Sequence, residues 1–304
     1  MKVGLILPTI GHGADGEVLD AGAGVAARLG WNSVWVTDHL LVPAGPEAEE
    51  YGWVLEATTA LTWVAARHES LKVGFSVIIP AMRDAPLLAK QIATLDVLTG
   101  GRLIVGVGAS DKDDILEYEN LGKGGERFER RGAYLDEAIG LWRHLWSGRT
   151  DPFEGEFHQL RDFTFAPLPP QGGSLPIICG GRSGRALRRA AQLADGYHAA
   201  QTGPRDVVEK LPQLREEAAK VGRTIGPVSV RIRVRFDADP LSVYSVHGSV
   251  AAMAVEIAAF AEAGVDELML VLGTTDPEAL VARAERFHHE VYTPALGSSG
   301  VGAA

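Results

Sequence analysis

The chain has 304 residues and a formal net charge of -10, from 29 Lys and Arg against 39 Asp and Glu. That acidity excludes nucleic acid or an anionic membrane as the expected partner, since both are held by a surface excess of basic residues, and it leaves a small molecule as the expected ligand. With 46% hydrophobic and 22% charged residues, a chain of this length can bury a large core and is not expected to be disordered, apart from a flexible tail of small residues over 295–304.

Taken in order, the chain alternates two periodicities. Residues 3–7 form a short apolar run that Pro8 and the following glycines end well before the length of a signal sequence or membrane span. Helical spacing follows over 17–29, then a β-branched and apolar run over 31–36. A helix over 53–67 precedes a strand over 73–79. Asp84 caps the next helix, with Pro86 in its first turn, and that helix runs to 98. A strand over 102–107 leads to a long helix over 128–146. Residues 149–176 break the pattern: alternation around Gly155 suggests a hairpin, and prolines then forbid a helix, so the segment reads as an insertion between the fourth helix and the fifth strand. Strands over 176–179, 197–200, 228–236 and 267–273 then alternate with helices over 183–194, 205–221, 250–263 and 277–291.

Eight strands and eight helices in strict alternation are the signature of parallel βα units, and the length fits a closed (β/α)8 TIM barrel, an α/β fold, as one domain over 1–294. In such barrels the chemistry lies at the carboxyl ends of the strands. Those ends carry Asp38 and His39, Gly106 to Ser110, Cys179 to Gly184, Asp237 and Gly273. Only Asp38 and His39 stand out as acid/base candidates. From position alone, His39 is equally a surface histidine bonded to a loop carbonyl or an imidazole facing the barrel mouth.

The strongest local signal is "IICGGRSGRALRRAAQLADG", where an apolar strand runs through Gly180, Gly181, Arg182 and Ser183 into a helix. Free backbone N–H groups, a helix N-terminus and an arginine converge there, which favours a phosphate site over a plain tight turn. Gly106 and Gly108 share one face of their strand and either admit a ring or relieve crowding at the barrel mouth. They are not a dinucleotide fingerprint, because Asp111 stands where the third glycine would be. Other chemistries find no support: Ser76 and Ser183 lack a GxSxG context, no HExxH occurs, and "LGKGGERFERR" follows no strand and so is no Walker loop. His288 and His289 read as solvated, and no metal set is evident. Cys179 is the only cysteine, so no intrachain disulfide can form and a reducing cytoplasm fits.

Several pieces taken together, "VWVTDHL", "VGFSVIIP", "LAKQIATLDVLTGGRLIVGVG", "FERRGAYLDEAIGLWRHLWSG" and "IICGGRSGRALRRAAQLADGY", resemble the bacterial luciferase-like (β/α)8 family. Within it they resemble the oxidoreductases that use coenzyme F420, an 8-hydroxy-5-deazaflavin, over most of residues 1–202. The resemblance implies hydride transfer between the deazaflavin and a small organic substrate, with His39 facing the ring and Asp38 beside it as catalytic residues. It further implies a cis non-prolyl peptide at Ser76-Val77 behind the ring, Gly106 and Gly108 beside it, and a cofactor phosphate on Cys179, Gly180, Gly181, Arg182 and Ser183. A homodimer is expected on the same ground. One departure stands out: sugar-phosphate dehydrogenases of this branch carry an acid where this chain has Ala109, which argues against glucose 6-phosphate. Tyr51, Trp53 and Tyr118 are pocket candidates that could equally be core. The alternative cofactor is FMN, whose N5 reacts with oxygen and would make the chain a monooxygenase; a noncatalytic flavin-binding protein is a third reading.

Overall fold

The computed structural model describes residues 1–297 except Asp237 and Pro240, together with all but the side chains of Pro46, Glu47 and Glu50. The strand end at Asp237 and residues 298–304 of the expected tail therefore lie outside the described residues, while the first part of that tail, expected to be flexible, closes the helix Thr293–Gly297 with Ala295 buried. Eight parallel strands close on themselves: β1 (Lys2–Ile6), β2 (Ser33–Val36), β3 (Lys72–Phe75), β4 (Leu103–Val107), β5 (Ile177–Gly180), β6 (Gly196–Ala200), β7 (Val228–Phe236) and β8 (Glu267–Val271) pair in chain order, and β8 returns to β1. The helices α1 (Gly16–Arg28), α2 (Ala57–Arg67), α3 (Ala85–Thr99), α4 (Arg131–Trp146), α5 (Gly184–Gln192), α6 (Pro204–Ala219), α7 (Val250–Glu262) and α8 (Pro277–Arg286) surround them. The expected TIM barrel is the observed fold. Among the described residues no helix is long and apolar enough to cross a membrane.

The interior of the barrel is filled rather than hollow. Trp35 is fully buried inside it, and it fits because its neighbour across the β2–β3 register is Gly74, where a Cβ would lie 2.3 Å from the indole. Its Nε1 donates to Ser33 Oγ at 2.6 Å, and the Ser33 hydroxyl donates to Glu267, which also accepts from Asn32 Nδ2 at 2.9 Å. This polar plug closes the amino-terminal end. A larger apolar layer packs between the outer strand faces and the helices.

The helix starts follow their caps. Asp84 accepts from Leu87 N and opens α3 as expected. Glu56 accepts from Thr59 N at 2.8 Å and opens α2 at Ala57, four residues later than the periodicity suggests. The long helix expected over 128–146 is broken at Arg130 into a single turn, Glu126–Glu129, and α4. Between α4 and β5 a two-stranded hairpin pairs Phe153–Glu154 with Gln159–Leu160. The Glu137 carboxylate of α4 gathers its turn, accepting from the backbone N–H groups of Glu156, Phe157 and His158. A Cβ on Gly155 would lie 2.5 Å from that carboxyl carbon, so the turn passes close only without a side chain.

Three local differences from the sequence reading matter. The strand expected over 73–79 stops at Phe75, and the peptide bond Ser76-Val77 is cis. A short strand, Ser245–Gly248, runs parallel to the outer part of β7, beyond the point where β6 leaves off. His288, expected in solvent, is half-buried and accepts from Trp31 Nε1 at 3.1 Å through Nδ1.

Candidate active site

A cavity of about 810 Å³ opens at the carboxyl ends of the strands, within the size range of ligand pockets. Its wall at the end of β2 is organised by two carboxylates on either side of one turn. Asp38 is buried, and both its oxygens are taken: Arg83 binds it through Nη1 and Nη2 at 2.5 and 2.7 Å, and the Ile79 N–H donates at 2.9 Å. Arg83 also reaches Glu56 at 2.9 Å. Burial raises the Asp38 pKa, opposed by the charge and hydrogen bonds of Arg83 and by the Ile79 N–H. Burial also works to raise Glu56, but hydrogen bonds from Thr58, Arg83 and Thr59 bring it down to about 2.

His39 points the other way, toward the cavity. Its Nδ1 lies 2.9 Å from Glu117 Oε2, while Glu117 Oε1 accepts from the backbone N–H groups of Leu40 and Leu41 at 2.5 and 3.0 Å. One buried carboxylate thus holds both the imidazole and the turn that carries it. Burial of the ring disfavours its charge, but the hydrogen bond and charge of Glu117, with Asp114 and Asp38 behind it, outweigh that and raise the His39 pKa above its ordinary value. Glu117 moves the opposite way: desolvation is overcome by His39 and the two N–H donors, and its pKa falls. His39, Asp114 and Glu117 bring ligand atoms within 4.8 Å of one another, yet both Glu117 oxygens already accept hydrogen bonds and Asp114 accepts from the Asp111 N–H at 2.8 Å. The set is satisfied as a hydrogen-bonded cluster.

The β3–β4 side is shaped by what is missing from the side chains. Val77 projects between β4 and β5, where a Cβ on Gly108 would lie 2.5 Å from its Cγ2 and one on Gly180 2.9 Å from its Cγ1. Both glycines line the cavity, as do Ser76 and Val77. Gly106 does not: a Cβ there would sit 1.9 Å from the Phe75 carbonyl oxygen, so its absence lets β3 and β4 approach. Cys179 is also kept away from the cavity. Strand alternation turns Ile178 and Gly180 inward and the Cys179 thiol outward among the helix-facing core, where burial pushes its pKa up to about 12.

After β5, Gly180 to Ser183 form the expected loop. Gly181 has φ +124°, a conformation that favours glycine, its carbonyl accepts from the Tyr197 hydroxyl at 2.9 Å, and Ser183 caps α5 by accepting from Ala186 N at 3.2 Å. Arg182 is exposed at the rim. Of the aromatic candidates, Tyr51 lines the cavity with its ring centroid 6.1 Å from that of His39. Trp53 instead packs on His12 and donates to the Ala14 carbonyl, and Tyr118 is buried against Phe128.

Four further residues belong to this site although the sequence reading did not single them out: Arg83, Glu117, His198 and Arg231. His198 lies on the barrel floor, bonded to Ser76 Oγ and Ser229 Oγ at 2.9 Å each and stacked on Trp35 at 6.1 Å. Burial, helped by the nearby Arg231 charge, lowers its pKa to about 3, so it is neutral at physiological pH. The alternating "VSVRIRVRF" of β7 carried the signal for Ser229 and Arg231, because every second residue of a barrel strand faces inward.

Residues 18–240 match the luciferase-like monooxygenase family. The chain belongs to that family. It is 33% identical over 220 residues to an F420-dependent glucose-6-phosphate dehydrogenase of Kineococcus radiotolerans, a match covering 71% of this chain and 63% of that one; the chain spans a little under two-thirds of the length of such relatives. Its fold is similar to that of an F420-dependent secondary alcohol dehydrogenase in complex with an F420–acetone adduct, with 18% identity, TM-score 0.80, and 97% and 98% of the two chains covered. It is also similar to the FMN-bound oxygenating constituent of 3,6-diketocamphane monooxygenase from Pseudomonas putida, with 17% identity, TM-score 0.77, and 96% and 98% covered. At these identities the likeness establishes the fold, which serves both cofactors.

Proposed function

We propose that this luciferase-like protein is a coenzyme F420-dependent oxidoreductase that transfers a hydride between the deazaflavin and a small organic substrate. The observation that carries the reading is the His39–Glu117 pair at the cavity wall. With Nδ1 engaged by Glu117, Nε2 is the nitrogen left to face a ligand, and the hydrogen bond and charge of Glu117, which raise the His39 pKa, favour the protonated ring. His39 therefore suits giving a proton to the substrate oxygen or carbon as hydride arrives, and taking it back in the reverse direction. The names of the relatives support the deazaflavin over FMN.

The residues present fit such a cofactor. Val77 between two glycines offers an apolar shelf for a flat ring, and the loop from Gly180 to Ser183, with Arg182, offers N–H groups and a positive charge to a phosphate. When bound, the deazaflavin would supply hydride donation or acceptance at C5. Ser76 and Gly108 complete the contact surface, and Gly106 serves it by letting β4 close on β3, while Cys179 is turned into the core. Asp38 acts here as a positioning residue, because Arg83 and Ile79 occupy its carboxylate and the turn it anchors carries His39. The sugar phosphate named for the relatives is not carried over, since Ala109 lines the cavity where that branch has an acid. A homodimer and a cytoplasmic location belong to the same reading, from the resemblance and the lone cysteine.

The test is oxidation of reduced F420, followed by its returning fluorescence, against a panel of carbonyl and conjugated-alkene acceptors. His39→Ala should slow turnover on any accepted substrate by about 100-fold or more while leaving F420 affinity within a few-fold. Unchanged turnover would remove His39 from the chemistry.

A further inference from the structure

Strand β7 divides its side chains between two surroundings. Val228, Val230, Ile232 and Val234 are buried toward the helices, while Ser229, Arg231 and Arg233 share the inner face. Inner positions of a barrel strand are ordinarily filled by branched apolar residues, so arginines there call for a reason. The register sets Arg231 beside Ala200 of β6 and Arg233 beside Val271 of β8, and all four line the cavity.

Arg231 is the unusual one. Its Nη1 donates to the Ser76 carbonyl oxygen at 2.8 Å, and no carboxylate among the described residues pairs with it. Other half-buried arginines are held differently: Arg83 is bound by Asp38, Arg143 by Asp195 and Arg189 by Asp136, Arg102 spends its guanidinium on four backbone carbonyls, and Arg127 and Arg131 lie over the rings of Tyr134 and Phe128. Burial lowers the Arg231 pKa to about 10, with the like charge of Arg233 adding to it and Tyr51 opposing, which still leaves it protonated at neutral pH. Arg231 is half-buried on the cavity floor, and a cation partly withdrawn from water without a counter-ion is costly to fold around. A ligand anion in the cavity removes that cost.

The ligand's place and charge follow from the neighbours. Arg233 donates to the Tyr51 hydroxyl at 3.4 Å, and the Tyr51 ring adjoins His39, so the floor at β7 and the proton-bearing wall at β2 are joined by one aromatic side chain. One uncompensated positive charge, on a guanidinium with one Nη already used, matches one negative charge on two coplanar oxygens.

We propose that Arg231 is a specificity-determining residue that selects substrates bearing a carboxylate, seating that group on the barrel floor with the reducible carbon held toward His39. The orientation toward His39 rests on the hydride-transfer reading above; the carboxylate seat does not. A neutral analogue of the same shape leaves the cation unpaired and is rejected.

Calorimetric titration with benzoate, and with benzyl alcohol as its neutral counterpart, tests this on protein loaded with F420 and on protein without it. Benzoate should bind and benzyl alcohol should not. Arg231→Met should weaken benzoate by about tenfold or more, and Arg231→Lys by less, with F420 affinity, read separately by fluorescence, unchanged. If the wild-type protein shows no preference for benzoate, the proposal is overturned whether or not the Met variant folds. It is equally overturned if Arg231→Met keeps benzoate affinity, or loses F420 affinity in its place, since the charge then serves the cofactor. Absence of F420 binding to the wild-type protein would sink the deazaflavin reading alone, because the titration without cofactor still decides the carboxylate seat.

Discussion

The two sides of the cavity treat charge in opposite ways. At the end of β2 the ionised groups are paired inside the protein: Asp38 with Arg83, Arg83 with Glu56, His39 with Glu117. On β7, Arg231 carries a charge that, among the described residues, a backbone carbonyl meets and no carboxylate does. A closed network fixes geometry, because each removal strands its partner. An open charge fixes nothing by itself and gains its partner from outside. The first arrangement suits aiming an imidazole, and the second suits choosing what is aimed at.

Breaking the closed side should cost most. Arg83→Met leaves the Asp38 carboxylate buried with no counter-ion and should lower stability by about 3 to 5 kcal/mol in chemical denaturation. A loss under about 1 kcal/mol would mean that the pair is peripheral. Glu117→Gln should cost about 1.5 to 3 kcal/mol at mildly acidic pH, and the cost should depend on pH with a fixed sign. The raised His39 pKa makes its contribution present below its ordinary 6.5 and lost as pH climbs through the folded value; the lowered Glu117 pKa makes its own present above 4.5 and lost as pH falls through the folded value. The difference between wild type and variant should therefore peak between about 4.5 and 6.5 and shrink in alkali, and a flat profile would deny the charge pairing.

Breaking the open side should cost little stability. Arg231→Met gives up one hydrogen bond and relieves an unpaired charge, so its unfolding free energy should change by no more than about 1 kcal/mol in either direction. A loss as large as that of Arg83→Met would erase the contrast between the two sides. The smallest effect belongs to Cys179, whose buried thiol should stay unmodified by alkylating reagents in the folded protein and react only after denaturation. Rapid modification in native buffer would place that side chain at the cavity after all.

What the sequence revealed follows from how far each signal travels along the chain. The barrel was legible because two local periodicities repeat eight times, and β7 fell where its alternation put it. Asp38, His39 and the glycine-rich loop were legible because strand ends in a barrel are functional positions by construction. Glu117 was not, because it lies 78 residues from His39 on a short helix with no pattern of its own, and only closure of the fold brings them together. Arg83 escaped for the same reason, 45 residues from Asp38. Cys179 shows the opposite error: adjacency to the loop placed it at the site, while strand alternation turned its side chain to the core. The role of Asp38 changed similarly, from a titrating candidate to the anchor of a turn, once both of its oxygens were found occupied.

In the proposed function this cavity holds a deazaflavin. Parallel fluorescence titrations of the purified protein with coenzyme F420 and with FMN, under identical conditions, test it most directly. Saturable F420 binding that weakens on Arg182→Ala, with FMN bound much more weakly, is expected; tight FMN binding without any response to F420 would rule the deazaflavin out.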